Sequence, residues 1–457
     1  MKKTNKPESE MMGASYDPHL SEGSAKVPIF QTSTFVFKNA EEGKSHFHIA
    51  YGLREKNIGE SMSLAYTRIN NPNLEIAEER LKLWDNAESC ALFQSGMAAI
   101  TTTILELTRP NTLILHSSPL YGGTDHFIEH VLPKYNIKSM YFNSFDSLDS
   151  ILKEKEEKFP DTDVSLVYIE SPANPTNSLV DIEKSKKLAN HFSDDKEKVF
   201  LAIDNTFMGP VFSQPLDHGA DVVLYSATKY IGGHSDLVAG AATGSSEIIN
   251  RLKGMRVFMG NMASPFTCWL ITRSLETLKI RMEKSAENAL KVAEDLNNHP
   301  KIDKVHYLSL IDKNTEEYKV YKKQYSSSGG MISIDIKGGE KEAFKFLDNL
   351  KLVKLAVSLG GTESLACHPY SMTHADVSIE TKIKIGMGES LVRLSIGIED
   401  SNDLINDIAS IFELPSKLNI FIISSHCSFE ISSFNSTFVV EILLGDFIAT
   451  SSISIPP

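Results

Sequence analysis

The sequence predicts an α/β protein in which a large domain with a mostly parallel sheet is followed by a smaller α+β C-terminal domain. Three observations carry this. Short apolar runs, ESCALFQS (88–95), NTLILHS (111–117), SLVYIES (165–171), VFLAIDNT (199–206) and DVVLYSAT (221–228), alternate with helical or loop segments, the βαβ rhythm of a sheet covered on both faces. Several runs end in small polar residues, where open α/β sheets receive ligands. Beyond Pro265 a long helical pattern over 267–300 leads on to strand-like runs at MISIDIK (331–337) and LVRLSIG (391–397).

Taken in order, residues 1–65 show polar patches and isolated apolar clusters such as Pro28-Ile29-Phe30 and Phe35-Val36-Phe37, which read as an extended arm. From Asn73, NLEIAEERLKLWDN places Leu74, Ala77, Leu81 and Trp84 at helical spacing, with Asn71 or Asn73 as cap and Pro72 near the start. The expected divisions are an arm at 1–70, a large domain at 71–265, a linking helix and small domain at 266–412, and an atypical tail at 413–457. That tail is rich in Ser, Ile and Phe and poor in charge, and reads either as a short β appendage or as an extension foreign to the fold.

A net charge of −13, from 46 basic and 59 acidic residues, argues against a partner held through nucleic-acid phosphates and for a small-molecule substrate. Four widely spaced cysteines, Cys90, Cys268, Cys367 and Cys427, offer neither a disulfide framework nor a zinc motif, so no metal is expected and a reducing cytoplasm fits. The N-terminus lacks an apolar signal core, and no apolar stretch reaches the roughly 18 residues of a membrane span.

The chemistry centres on DVVLYSATKYIGGHSDLVAG (221–240). Ser226 and Thr228 beside Lys229 suit an anionic phosphate, and a lysine amine sheltered from water can condense with an aldehyde; pyridoxal phosphate meets both needs. The plain alternative is a surface lysine in a Gly-rich turn. Ser95-Gly96-Met97 follows a strand and opens a helix, whose N–H groups form a phosphate cradle, or else Ser95 is only a cap. Asp204 ends its strand where a carboxylate can keep a pyridine nitrogen protonated, or starts an Asx turn. Tyr121, in PLYGGT (119–124), offers an aromatic face and a phenolic proton, or packs a turn. Asn174 sits in the proline-stiffened loop ESPANPTN (170–177), and Arg393 is a fork for a carboxylate or a structural ion-pair arginine.

Together the blocks Tyr66-Thr67-Arg68 with Asn71-Pro72, QSGMAA, YGGT, ESPANPTN, AIDNT, SATKYIGGHSD and VRLSIGIED stand in one order. From about residue 25 to 412 the chain resembles the Cys/Met-metabolism pyridoxal-phosphate enzymes, which include cystathionine γ-synthases, cystathionine γ-lyases, methionine γ-lyases and O-acylhomoserine sulfhydrylases. The resemblance implies a fold type I pyridoxal-phosphate transferase-like architecture. It implies that Lys229 carries the cofactor and moves the Cα and Cβ protons, that Asp204 pairs with the ring nitrogen, and that Tyr121 stacks on the ring and protonates the departing sulfur. The phosphate would be held by Ser95, Gly96, Met97, Ser226 and Thr228, and by Tyr66 and Arg68 of the neighbouring subunit. Arg393, Asn174 and the backbone around Ser358 would clamp the substrate α-carboxylate, and the assembly would be a homotetramer of paired dimers.

Two departures from the family stand out: a longer segment between Phe37 and Tyr66, and Gly123 where methionine γ-lyases typically carry cysteine. Cystathionine-handling members typically place acidic residues where this chain has Ala65 and Val357, so the expected reaction is γ-elimination on a simple thioether such as methionine. The alternatives are cystathionine γ-lyase activity, γ-replacement as in cystathionine γ-synthase or O-acylhomoserine sulfhydrylase, and, more remotely, a non-catalytic scaffold.

Overall fold

The computed structural model describes residues 5–413 except 61, 376 and 378, and the backbone of two strands at 437–444 and 447–454. Two compact units result, Met1–Phe412 and Glu413–Pro457. The first contains a seven-stranded sheet of β1 (Ser89–Phe93), β2 (Leu113–Ser118), β3 (Lys138–Asn143), β4 (Val164–Glu170), β5 (Phe200–Asp204), β6 (Val222–Tyr225) and β7 (Gly240–Gly244). Their order is β1-β7-β6-β5-β4-β2-β3, and β7 alone runs against the rest.

Strand alternation sorts the apolar residues of this sheet into two cores. Leu201, Ile203, Val223 and Tyr225 enter one, while Phe200, Ala202, Val222 and Leu224 enter the other. Both faces are therefore covered, which is why β4 to β6 read as nearly continuous apolar runs. All five expected strands of this sheet are present. β3 and β7 are additional: β3 alternates exposed and buried positions at the sheet edge, and β7, GAATG, is fully buried yet has no large side chain.

The helix Pro72–Trp84 starts as expected, with Asn71 Oδ1 accepting from the Asn73 N–H at 3.0 Å. Asn73 is not the cap. Its amide accepts from Phe30 N and donates to the Pro28 carbonyl, which ties down the preceding segment. That segment is not extended throughout, because Ala40–Ala50 is helical and capped by Asn39. The pattern over 267–300 is two helices, Pro265–Leu275 and Leu278–Asn297, broken at Glu276-Thr277. Leu278 and Met282 pack into a core of the large sheet, whereas Val292, Ala293 and Leu296 pack into that of the second, so the longer helix bridges both.

The second sheet consists of β8 (Ile302–His306), β9 (Met331–Ile336), β10 (Lys354–Leu355), β11 (Leu365–Cys367) and β12 (Leu391–Ser395) in the order β10-β11-β12-β9-β8. β9 and β12 are the two strands expected here. In the second unit, β13 (Thr437–Leu444) and β14 (Phe447–Ser454) form an antiparallel hairpin. The rest of the tail at 413–457 lies outside the described residues, apart from Glu413.

Candidate active site

β4 and β5 end side by side, with Glu170 opposite Asp204 in register. Both carboxyls are buried. Asp204 Oδ1 accepts from the N–H (3.0 Å) and the hydroxyl (2.6 Å) of Thr206, so the Asx turn anticipated as an alternative forms. Oδ2 accepts nothing from the described residues. Burial raises the Asp204 carboxyl. It pushes Glu170 up to about 8, with the Asp204 charge adding to the effect. Two desolvated acids at adjacent strand ends favour a cation between them and solvent.

Lys229 follows β6 in a tight turn in which its N–H donates to the Ser226 carbonyl at 3.0 Å. Its Nζ donates to Ser358 Oγ at 3.2 Å. Burial, then the nearby Arg393 charge, lowers the amine from 10.5 to about 8. At neutral pH about a tenth of such an amine is free, against well under a thousandth for an ordinary lysine. Arg393, on β12, donates Nη1 to Asn174 Oδ1 at 2.9 Å and Nη2 to the Val357 and Ser358 carbonyls at 3.2 Å each. It is buried, and no carboxylate pairs with it among the described residues. A guanidinium held only by neutral oxygens is short of an anion.

Opposite these groups the helix Gly96–Leu107 begins, capped by Ser95 Oγ, which accepts from the Ala98 N–H at 3.0 Å. The leading N–H groups of a helix have no partner within it, and they suit an anion. Gly96 is required here: a Cβ would lie 2.8 Å from Ser226 Cβ and 2.9 Å from its Oγ, closing the gap between the helix start and the β6 turn. The Thr228 hydroxyl donates to the Ala239 carbonyl at 3.1 Å, which leaves Ser226 as the freer hydroxyl.

A cavity of about 380 Å³ joins these parts. Ser95, Gly96, Met97, Tyr121, Asn174, Asp204, Ser226, Thr228, Lys229, Ser358 and Arg393 all line it. Tyr66 and Arg68 do not. Tyr66 is partly exposed, and Arg68 lies over its ring at 5.7 Å while donating to the Val257 carbonyl at 2.7 Å. Glu170 and Thr206 line the cavity as well, and their roles had not been read from the sequence. The available signal was position, since each stands at or just beyond a strand end. The residues present fit pyridoxal phosphate: a partly deprotonated amine, a free carboxylate oxygen for a protonated ring nitrogen, and a narrow helix-start cradle for the phosphate.

Comparison with known proteins agrees with this chemistry. A family described as Cys/Met metabolism PLP-dependent enzyme matches residues 9–413. An L-methionine gamma-lyase of Treponema denticola is 37% identical over 412 residues, covering 88% of this chain and 98% of the relative. A cystathionine gamma-lyase of Dictyostelium discoideum is 39% identical over 388 residues, covering 85% and 92%. Among solved structures, a cystathionine gamma synthase of Xanthomonas oryzae pv. oryzae in complex with aminoacrylate and cysteine superposes with a TM-score of 0.79 at 30% identity, covering 90% of this chain and 98% of that one.

Proposed function

The chain belongs to the Cys/Met metabolism pyridoxal-phosphate-dependent enzymes, and from that premise we propose that it converts methionine and water to 2-oxobutanoate, ammonia and a thiol by γ-elimination. The carrying observation is a buried lysine, its amine lowered by that burial, sharing one cavity with an arginine held only by neutral oxygens and with two buried acids. The cofactor supplies the electron sink that makes a proton at Cα of an amino acid removable. The rest falls to this chain. The Arg393 fork, held by Asn174, receives the substrate α-carboxylate and fixes which Cα bond faces Lys229. The Lys229 amine would hold the cofactor and, in turnover, take the Cα proton and then serve at Cβ. Asp204, oriented by Thr206, would keep the ring nitrogen of the cofactor protonated. Tyr121, which lines the cavity, would lie against the ring and give its phenolic proton to the departing sulfur.

The γ-substituent is a small apolar one in this reading. Val357 lines the cavity and carries no charge for a distal ammonium. Such an ammonium gains no partner from this side chain, whereas a methyl group needs none. Ala65, the other position of interest, is buried beside Asn70, whose Oδ1 accepts its N–H at 3.1 Å, and does not line this cavity. Tyr66 and Arg68 would reach a phosphate site in a neighbouring subunit, within a cytoplasmic homotetramer of paired dimers. Three cysteines buried as free thiols agree with a reducing compartment. The test is kcat/KM for methionine, homocysteine and cystathionine on one preparation, with cystathionine formation from O-acetylhomoserine and cysteine assayed beside them. Methionine should lead; cystathionine ahead by tenfold, about 1.4 kcal/mol, would reject the substrate reading.

A further inference from the structure

We propose that Glu170 is the positioning residue of this site, one carboxylate that sets both the tyrosine that serves the leaving group and the clamp on the substrate carboxylate. Oε2 accepts from the backbone N–H of Tyr121 at 2.6 Å, and Oε1 accepts from the backbone N–H of Asn174 at 2.9 Å. Asn174 in turn accepts from Arg393 Nη1 at 2.9 Å, so a continuous path runs from Glu170 to the guanidinium. Tyr121 needs such an anchor. The residue is 42% exposed, and as N-cap of the short helix Gly122–His126 it makes no side-chain capping hydrogen bond. Glu170 closes β4, a strand buried along its whole length, so both loops are tied to the interior of the sheet.

The two bonds explain why an acid stands here. A carboxyl group, ionised or protonated, keeps accepting lone pairs on both oxygens, whereas a glutamine of the same shape accepts on one and turns two N–H donors toward the other loop. Burying a carboxylate is costly, and a group that only filled space would be apolar. Removing the anchor therefore acts on two kinetic parameters together. A loosened Tyr121 lowers kcat, and a loosened Asn174 lets Arg393 turn, raising KM.

This inference rests on the proposed roles of Tyr121 and Arg393, and its test separates the two. Holoenzyme carrying Glu170→Gln or Glu170→Ala is compared with wild type and with Tyr121→Phe, which keeps the backbone N–H. Kinetics with methionine are normalised to bound cofactor, and hydrogen exchange is followed over 119–124, 171–177 and the strands β5 and β6. Glu170→Ala should raise KM and lower kcat, each by about tenfold, while Tyr121→Phe lowers kcat alone. Glu170→Gln, the variant that keeps the fold if alanine does not, should change at least one parameter by a similar factor. Exchange should quicken in both loop segments and stay slow in β5 and β6. Values of KM and kcat within twofold of wild type in Glu170→Gln, or exchange that quickens through the whole sheet with KM unmoved, would overturn the positioning role. If wild type releases no ketoacid, the proposed reaction fails while the exchange comparison still decides whether Glu170 holds the two loops.

Discussion

The strand-end wall of the cavity and the N-terminal arm deliver functional side chains in opposite ways. Asp204 and Lys229 stand at the end of β5 and just after β6, and Arg393 lies within β12; all three line one cavity of a single chain. Tyr66 and Arg68 belong to a segment outside that cavity, held on the surface by a ring contact and the Val257 carbonyl. On the proposed roles the wall would supply the amine, the ring acid and the carboxylate clamp, and the steps at Cα would need nothing from another subunit. In the proposed assembly the arm would serve the phosphate of a neighbour. Chemistry would then be internal to one chain and cofactor retention shared between chains.

The sharpest way to break that division is at the wall. Lys229→Ala should lower turnover by about ten-thousand-fold in single-turnover assays, since no other amine among the described residues lines the cavity. Asp204→Asn should cost about a hundredfold or more while the fold is kept, because an amide cannot hold the ring nitrogen positive. Near-normal turnover in either variant would place the chemistry elsewhere. At the arm, Arg68→Ala should weaken cofactor retention by about tenfold, the scale of one exposed charge-assisted contact. Dissociating and remixing Arg68→Ala with Lys229→Ala subunits should then restore about a quarter of the sites, because half of the random dimers carry one intact site. No recovery on mixing would make the arm local to its own chain.

A smaller effect concerns pH. The Lys229 amine is lowered from 10.5 to about 8, first by burial and then by Arg393, so the folded state disfavours its charged form. Stability of the cofactor-free protein should therefore rise between about 8 and 10.5, with the full penalty present below that window. The rate of cofactor reloading should rise through about pH 8, followed by absorbance; a flat profile from 7 to 9 would remove the depressed amine from the account. The smallest effect is expected at the far end. Every residue lining the cavity lies in the unit Met1–Phe412, so truncation after 412 should leave activity within about twofold, inside the range of changes remote from a site.

The wall was legible in the sequence because its strands are apolar runs closed by polar residues, and the order of Asp204, Lys229 and Arg393 along the chain carried the site. β7 was not, since a strand of glycine, alanine and one threonine has no apolar side-chain pattern and is set by what packs over it. The helix Ala40–Ala50 was hidden for another reason. Its Gly43 and two histidines, one buried, weaken both propensity and periodicity, and only the Asn39 cap marks it. Glu170 stood in a quoted motif, but its role depends on Tyr121 and Asn174 meeting it from two loops, and no local spacing encodes that meeting.

Reduction of the purified protein with borohydride, followed by peptide mass spectrometry, tests the central assignment most directly. The account predicts a pyridoxyl group fixed on the peptide that contains Lys229 and on no other lysine; label elsewhere, or none on protein loaded with pyridoxal phosphate, would contradict it.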